Sequence, residues 1–167
     1  NLTTQTWSPV DAAVRDGGSS AMYLPGKILK TGTAWNPDYP VKNATTEAWV
    51  IDMTQPSPTW RAVAPMAFAR TQHTLTLLPD GNVLATGGCT NSDVYNTGAC
   101  VLAPELWNPA NETWTTMAAG VVPRHYHSSA LLIPDGRVIL QGGGHPPGFG
   151  VTEFRGEIFS PSYLFKG

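Results

Sequence analysis

Three consecutive side chains, His125, Tyr126 and His127, offer two imidazoles and a phenol in one short run. Imidazole nitrogen combined with phenol oxygen suits copper, which accepts such donors in tetragonal geometry. Spacing limits which of them can share an ion. On a regular strand His125 and His127 point to one face and Tyr126 to the other. Tyr126 and His127 can therefore converge only where a strand begins or bends. Spacing alone leaves a structural role open for all three, and the sequence offers no second cluster of ligands.

The only cysteines, Cys89 and Cys100, flank the segment from Thr90 to Ala99. A disulfide there would close a short loop and restrict it, with two free thiols as the alternative. Asn1-Leu2-Thr3, Asn43-Ala44-Thr45 and Asn111-Glu112-Thr113 are N-glycosylation sequons with Asn1, Asn43 and Asn111 as acceptors, although such triplets also arise by chance. Sequons and a disulfide together point to a secreted protein.

These side chains must be positioned by a repeat. Gly26-Lys27-Ile28-Leu29 leads to Gly32, Gly81-Asn82-Val83-Leu84 to Gly87-Gly88, and Gly136-Arg137-Val138-Ile139 to Gly142-Gly143, a period of 55 residues. A fixed period of this size signals a repeat architecture. Thr74 to Leu78 runs into Pro79-Asp80-Gly81, and Ser128 to Ile133 into Pro134-Asp135-Gly136. Each reads as a strand, a turn and a returning strand, because Pro presets φ, Asp bonds locally and Gly accepts positive φ. Ala21 to Leu24 with Pro25-Gly26 is a weaker first copy. A third strand follows in each unit at Ala48–Asp52, Pro104–Trp107 and Glu157–Phe159, and Trp7, Trp60 and Trp114 each follow a threonine after a polar turn. No segment shows a sustained helical period.

Composition agrees. A chain of 167 residues suits one ordinary domain, and 41% hydrophobic residues support a core. A net charge of −2 without a basic cluster argues against nucleic acid or an anionic membrane as partner. The 17 Gly and 15 Pro fit short strands joined by tight turns. No apolar run approaches the roughly 20 residues of a membrane span. No leader or lipidation motif is visible, and Asn at the first position reads as a processed or trimmed start.

Strand pairs ending in Gly-Gly, followed by a strand, a turn and a Trp, resemble the kelch motif. The resemblance implies an all-β fold: about three four-stranded antiparallel blades of a β-propeller of about seven blades. The repeats fall at roughly 8–61, 62–115 and 116–167, with no second domain. The glycines would let neighbouring blades approach, and the six tryptophans would fill the space between them. Propellers close with roughly four to eight blades, so three would leave bare terminal faces. The chain is therefore expected to be a segment of a longer propeller, or to complete one by association.

The run from Arg124-His125-Tyr126-His127-Ser128 through Leu132-Ile133-Pro134-Asp135-Gly136-Arg137-Val138, ending Ile158-Phe159-Ser160-Pro161-Ser162-Tyr163-Leu164, is similar to the last part of the propeller in the galactose oxidase and glyoxal oxidase family. Phe68-Ala69-Arg70-Thr71-Gln72-His73-Thr74 and Ala44-Thr45-Thr46-Glu47-Ala48 agree with the same family upstream. The family comprises secreted copper radical oxidases. The resemblance implies that Tyr126 is the axial copper ligand and the proton acceptor, and His127 an equatorial ligand. Tyr39 and His73 match pocket positions, whereas Pro40 and Gln72 stand where galactose oxidase has a glutamine and an aromatic residue. These departures put galactose in question as the substrate and leave an aldehyde or another primary alcohol equally open. The implied chemistry is two-electron oxidation with reduction of O2 to H2O2, using copper and a tyrosyl radical on a cysteine-linked tyrosine. That Tyr-Cys cofactor and the remaining histidine ligand have no counterpart in this sequence. His145 has no family support as a ligand, and His125 reads as an ordinary loop or strand residue. The expected partners are the remaining blades and a C-terminal domain, or a second copy covering the bare faces. A noncatalytic kelch module binding carbohydrate or protein is the competing reading, and an intracellular kelch adaptor fits the sequons and disulfide less well.

Overall fold

The computed structural model describes residues 3–13, 15–33, 43–93, 96–144 and 152–166. Eleven strands form three antiparallel sheets in chain order. The first holds β1 (Ser19–Leu24), β2 (Lys27–Thr31), β3 (Ala48–Asp52) and β4 (Arg61–Ala62). The second holds β5 (Thr71–Leu77), β6 (Val83–Cys89), β7 (Glu105–Asn108) and β8 (Thr113–Thr116). The third holds β9 (Ser128–Leu132), β10 (Val138–Gly142) and β11 (Glu157–Phe159). Each sheet is a meander, so every blade is built from consecutive hairpins.

The turns form as their residues dictate. In both Pro-Asp-Gly turns the glycine lies at φ 85°, a left-handed conformation that costs glycine nothing. Leu78 N–H donates to the Asn82 carbonyl, and Ile133 N–H donates to the Arg137 carbonyl at the matching place. The first copy departs at a register shift between Met22 and Leu24, which accounts for its weaker signal.

First strands neighbour first strands: β1 packs on β5 and β5 on β9, as in blades fanned about an axis. Alternation along β6 serves both interfaces. Val83 and Ala85 join Leu29, Val50, Leu75 and Trp107 against the first blade. Leu84 joins Leu78, Ala130, Val138 and Leu140 against the third. Gly87-Gly88 makes the close approach possible, since a Cβ on Gly87 would lie 2.7 Å from the Cβ of Arg124. The neighbouring Gly88 N–H donates to the Arg124 carbonyl at 2.6 Å.

The expected antiparallel blades are present; among the described residues the third holds three strands, and after β11 the chain turns at Pro161 into a short 3-10 helix (Ser162–Phe165). Tyr163 OH there donates to the Gly136 carbonyl and ties that segment to the β9–β10 turn. The tryptophans do not all fill blade interfaces. Trp107 is fully buried, edge-on to Tyr23 at 4.9 Å, and the Trp114 indole N–H donates to the Ala64 carbonyl. Trp49 and Trp60 are half-buried beneath the cations of Arg15 and Lys30. Trp7 is fully exposed, and Trp35 lies outside the described residues.

The terminal faces are bare. On the third blade Leu131, Ile139 and Ile158 stand opposite one another across three strands, with Leu131 55% and Ile158 50% exposed. On the first, Met22 opposite Ile28 is 56% exposed. Among the described residues no helix is long and apolar enough to cross a membrane.

Candidate functional site

The site starts from an arginine that the repeat uses twice. Arg70 Nη1 donates to the Gly87 carbonyl at 2.6 Å, and Arg124 Nη1 to the Gly142 carbonyl at 2.8 Å. Arg70 Nη2 donates to the Ala103 carbonyl, and Arg124 Nη2 to the Arg155 carbonyl. Each guanidinium then faces a glutamate at the same register of the third strand: Glu105 opposite Ala85, Glu157 opposite Leu140. Arg70 and Glu105 are wholly buried at 3.0 Å, whereas Arg124 and Glu157 stand 3.7 Å apart with Glu157 partly open.

Strand pairing resumes at equivalent places beyond each arginine, with His73 opposite Gly87 and Ser128 opposite Gly142. Between the arginine and these paired residues the second blade has Thr71 and Gln72, with Thr71 already paired to Cys89 in β5, whereas the third has His125, Tyr126 and His127. The third blade thus carries one extra residue, and it emerges as a turn. Ser128 N–H donates to the His125 carbonyl at 2.8 Å, leaving Tyr126 and His127 at the two corners. His127 takes φ 62°, a left-handed conformation that His adopts more readily than most side chains.

Corner positions put adjacent residues side by side. The Tyr126 and His127 rings lie 3.8 Å apart between centroids, tilted by 35°. His127 is exposed, Tyr126 half-buried and His125 buried at 3% exposure, so His125 separates from the other two. Gly144 braces the corner from behind: its N–H donates to the Tyr126 carbonyl at 2.8 Å, and its carbonyl lies 3.2 Å from His127 Nδ1. An Nδ1–H donated to that carbonyl makes Nε2 the lone-pair nitrogen, the orientation typical of a metal-binding histidine. An imidazole and a phenol sharing one exposed corner fit a copper ion as part of its ligand set. Among the described residues there is no group of three or more His, Cys, Asp or Glu that could hold a metal.

His73 lies apart from this corner, 5% exposed between the first two blades, with Nε2 2.7 Å from Thr31 Oγ1. Burial, with the Arg70 charge adding to it, pushes its pKa down to about 3. It is a neutral imidazole built into a blade interface. The preceding Gln72 is half-buried at φ 59°. Cys89 and Cys100 are disulfide-bonded and close the loop they flank. Asn43 and Asn111 are exposed, and Asn111 Oδ1 accepts the N–H and hydroxyl of Thr113 in its own sequon. Tyr39, Pro40, His145 and Asn1 lie outside the described residues. Sequence reasoning missed the Arg124 and Gly144 braces. The available signal was the unequal spacing from Arg70 to Gly81 and from Arg124 to Gly136.

The model of the family described as glyoxal oxidase N-terminus matches residues 25–163. The chain belongs to the galactose oxidase and glyoxal oxidase family of copper radical oxidases. A galactose oxidase of Gibberella zeae is 37% identical over 154 residues, covering 89% of this chain and 22% of that protein. An aldehyde oxidase GLOX of Vitis pseudoreticulata is 37% identical over 126 residues, 69% of this chain and 24% of its own length. A solved fungal alcohol oxidase of the AA5 family, in complex with copper, superposes with a TM-score of 0.81 at 29% identity, over 91% of this chain and 32% of that one. The chain thus spans about a quarter or less of the curated relatives named here. These galactose oxidase and glyoxal oxidase relatives are larger proteins, and this chain matches only part of each.

Proposed function

We propose that this chain is the last part of the propeller in a secreted copper radical oxidase that oxidises a primary alcohol or aldehyde. The reading rests chiefly on the Tyr126–His127 corner, where phenol and imidazole share one exposed edge. Tyr126 and His127 would hold copper, with His127 oriented through Gly144. When bound, copper paired with a tyrosyl radical supplies two one-electron acceptors, so an alcohol loses two electrons and two protons and O2 gains them as H2O2. Tyr126 oxygen receives the substrate hydroxyl proton as general base. The Tyr-Cys radical pair and the further ligands belong to blades and a C-terminal domain that would cover the bare apolar faces; the chain alone is expected to be inactive. Tyr39 and His73 are assigned to the pocket, His73 through its wall and not by direct exposure. Pro40 and Gln72 leave an aldehyde or a primary alcohol other than galactose as open as galactose itself. Secretion accords with the disulfide and with the sequons at Asn1, Asn43 and Asn111.

The test is Cu(II) titration of the complete protein with electron paramagnetic resonance. One copper per chain is expected, with affinity falling about tenfold or more in Tyr126→Phe. No bound copper, and no peroxide from any alcohol or aldehyde, would overturn the proposal.

A further inference from the structure

The shape of the candidate copper corner depends on where Arg124 ends the preceding segment. Its carbonyl accepts the Gly88 N–H at 2.6 Å, which fixes the backbone to the second blade. Its guanidinium reaches the Gly142 carbonyl at 2.8 Å, directly opposite Ser128, where the strand resumes. The segment 125–127 is therefore held at both ends by one residue. In the second blade Arg70 holds the matching points across two residues, and there Gln72 takes the left-handed φ of 59° just before the strand, as His127 does at 62°. Three residues across that span must fold outward, and the His125–Ser128 turn is the result.

The far side of the clamp carries the turn directly. A Cβ on Gly142 would lie 2.7 Å from the His127 carbonyl oxygen, so these two backbones are in close contact. Gly144, two residues on, bonds both Tyr126 and His127. A shift of the Gly142 carbonyl moves the surface on which both corners rest. Arginine suits this task because its planar fork serves the Gly142 and Arg155 carbonyls at once while facing Glu157. A lysine ammonium is a single point and cannot span the same acceptors from one position.

We propose that Arg124 is a positioning residue for the Tyr126–His127 corner, clamping the one-residue insertion so that phenol and imidazole face one ion. The inference rests on the copper reading for its function, but the clamp itself can be read without metal. Arg124→Lys and Arg70→Lys are compared in the complete protein. Arg124→Lys is expected to weaken Cu(II) binding about tenfold or more and to change the Cu(II) resonance spectrum. Arg70→Lys, altering the more buried copy of the clamp, is expected to lower the urea midpoint at least as much but to change both copper measurements far less, because it reaches the corner only through the Gly87-Gly88 peptide. In the metal-free protein the His127 ring nitrogen signals in NMR should move clearly more in Arg124→Lys than in Arg70→Lys. Wild-type copper affinity and spectrum in a folded Arg124→Lys overturn the inference while leaving the copper reading standing. Equal loss of copper in both variants also overturns it, because general loosening of blades then explains the effect. If the wild type binds no copper but the His127 signals move clearly more in Arg124→Lys than in Arg70→Lys, the clamp stands and the copper reading falls. Should Arg124→Lys fail to fold, Glu157→Gln loosens the same guanidinium, and unmoved His127 signals there overturn the proposal.

Discussion

Glu105 and Glu157 occupy one register in successive blades, and replacing each with Gln should have very different costs. Glu105 is wholly buried and gathers four donors: Ala67 N–H at 2.6 Å, Phe68 N–H at 3.4 Å, and Arg70 Nε and Nη2 at 3.2 and 3.0 Å. Glu105→Gln leaves the fully buried Arg70 without a countercharge, and one end of the amide then presents N–H to existing donors. Burial already draws the Arg70 pKa down against the pull of Glu105, yet arginine stays protonated. Leaving a buried charge uncompensated costs about 3–5 kcal/mol, a large part of a domain's stability of roughly 5–15 kcal/mol. Glu157 stands 3.7 Å from Arg124, its side chain is 21% exposed, and its Oε1 accepts only the Val121 N–H among the bonds described. Water can take over part of its role, so Glu157→Gln should cost about 1 kcal/mol. Urea unfolding followed by tryptophan fluorescence reads both, since Trp107 of the second blade lies in the core it shares with the first. Equal costs for the two variants, or less than about 1 kcal/mol for Glu105→Gln, would refute the claim that burial separates these pairs.

Two further perturbations follow from the same interfaces. The folded-state pKa of His73, about 3, lies below its ordinary value of 6.5, so the unfolded chain takes up the proton first. Stability from this residue is complete above pH 6.5 and is lost as pH falls toward 3, on the order of 3 kcal/mol between pH 7 and 4. His73→Gln should flatten that part of the profile; parallel profiles for variant and wild type would contradict it. Replacing Cys89 and Cys100 together with Ser should lower stability by about 2–3 kcal/mol, as expected from the short loop they close. An unchanged urea midpoint would show that the loop is ordered by its other contacts, such as Thr90 N–H to the Ala99 carbonyl.

Strands and turns were legible because their signals are local. Pro79-Asp80-Gly81 and Pro134-Asp135-Gly136 specify their own backbone, and alternation along β5 and β9 needs only one buried face to be read. Tryptophan placement was not local. Trp107 and Trp7 differ in what lies opposite, and sequence near either residue does not encode that. His73 reads as a pocket residue from the family, while its burial against Thr31 depends on how two blades meet.

The Tyr126–His127 corner shows how a repeat can make a site without a new fold. Glycine spacing stays at 55 residues across the insertion, so counting from Gly81 to Gly136 conceals it. The change becomes visible only between fixed points on the two sides of a blade, arginine before the strand and glycine after the hairpin. Both points are held by backbone carbonyls, which substitution leaves in place. The inserted residue cannot be absorbed by sliding the strand, because a one-residue slip would turn Ala130 out of the core. It must leave the sheet at the strand's start, at the exposed edge where Tyr126 and His127 emerge. A rigid, buried repeat thus converts one added residue into two adjacent side chains that face the same way, which a continuous strand forbids.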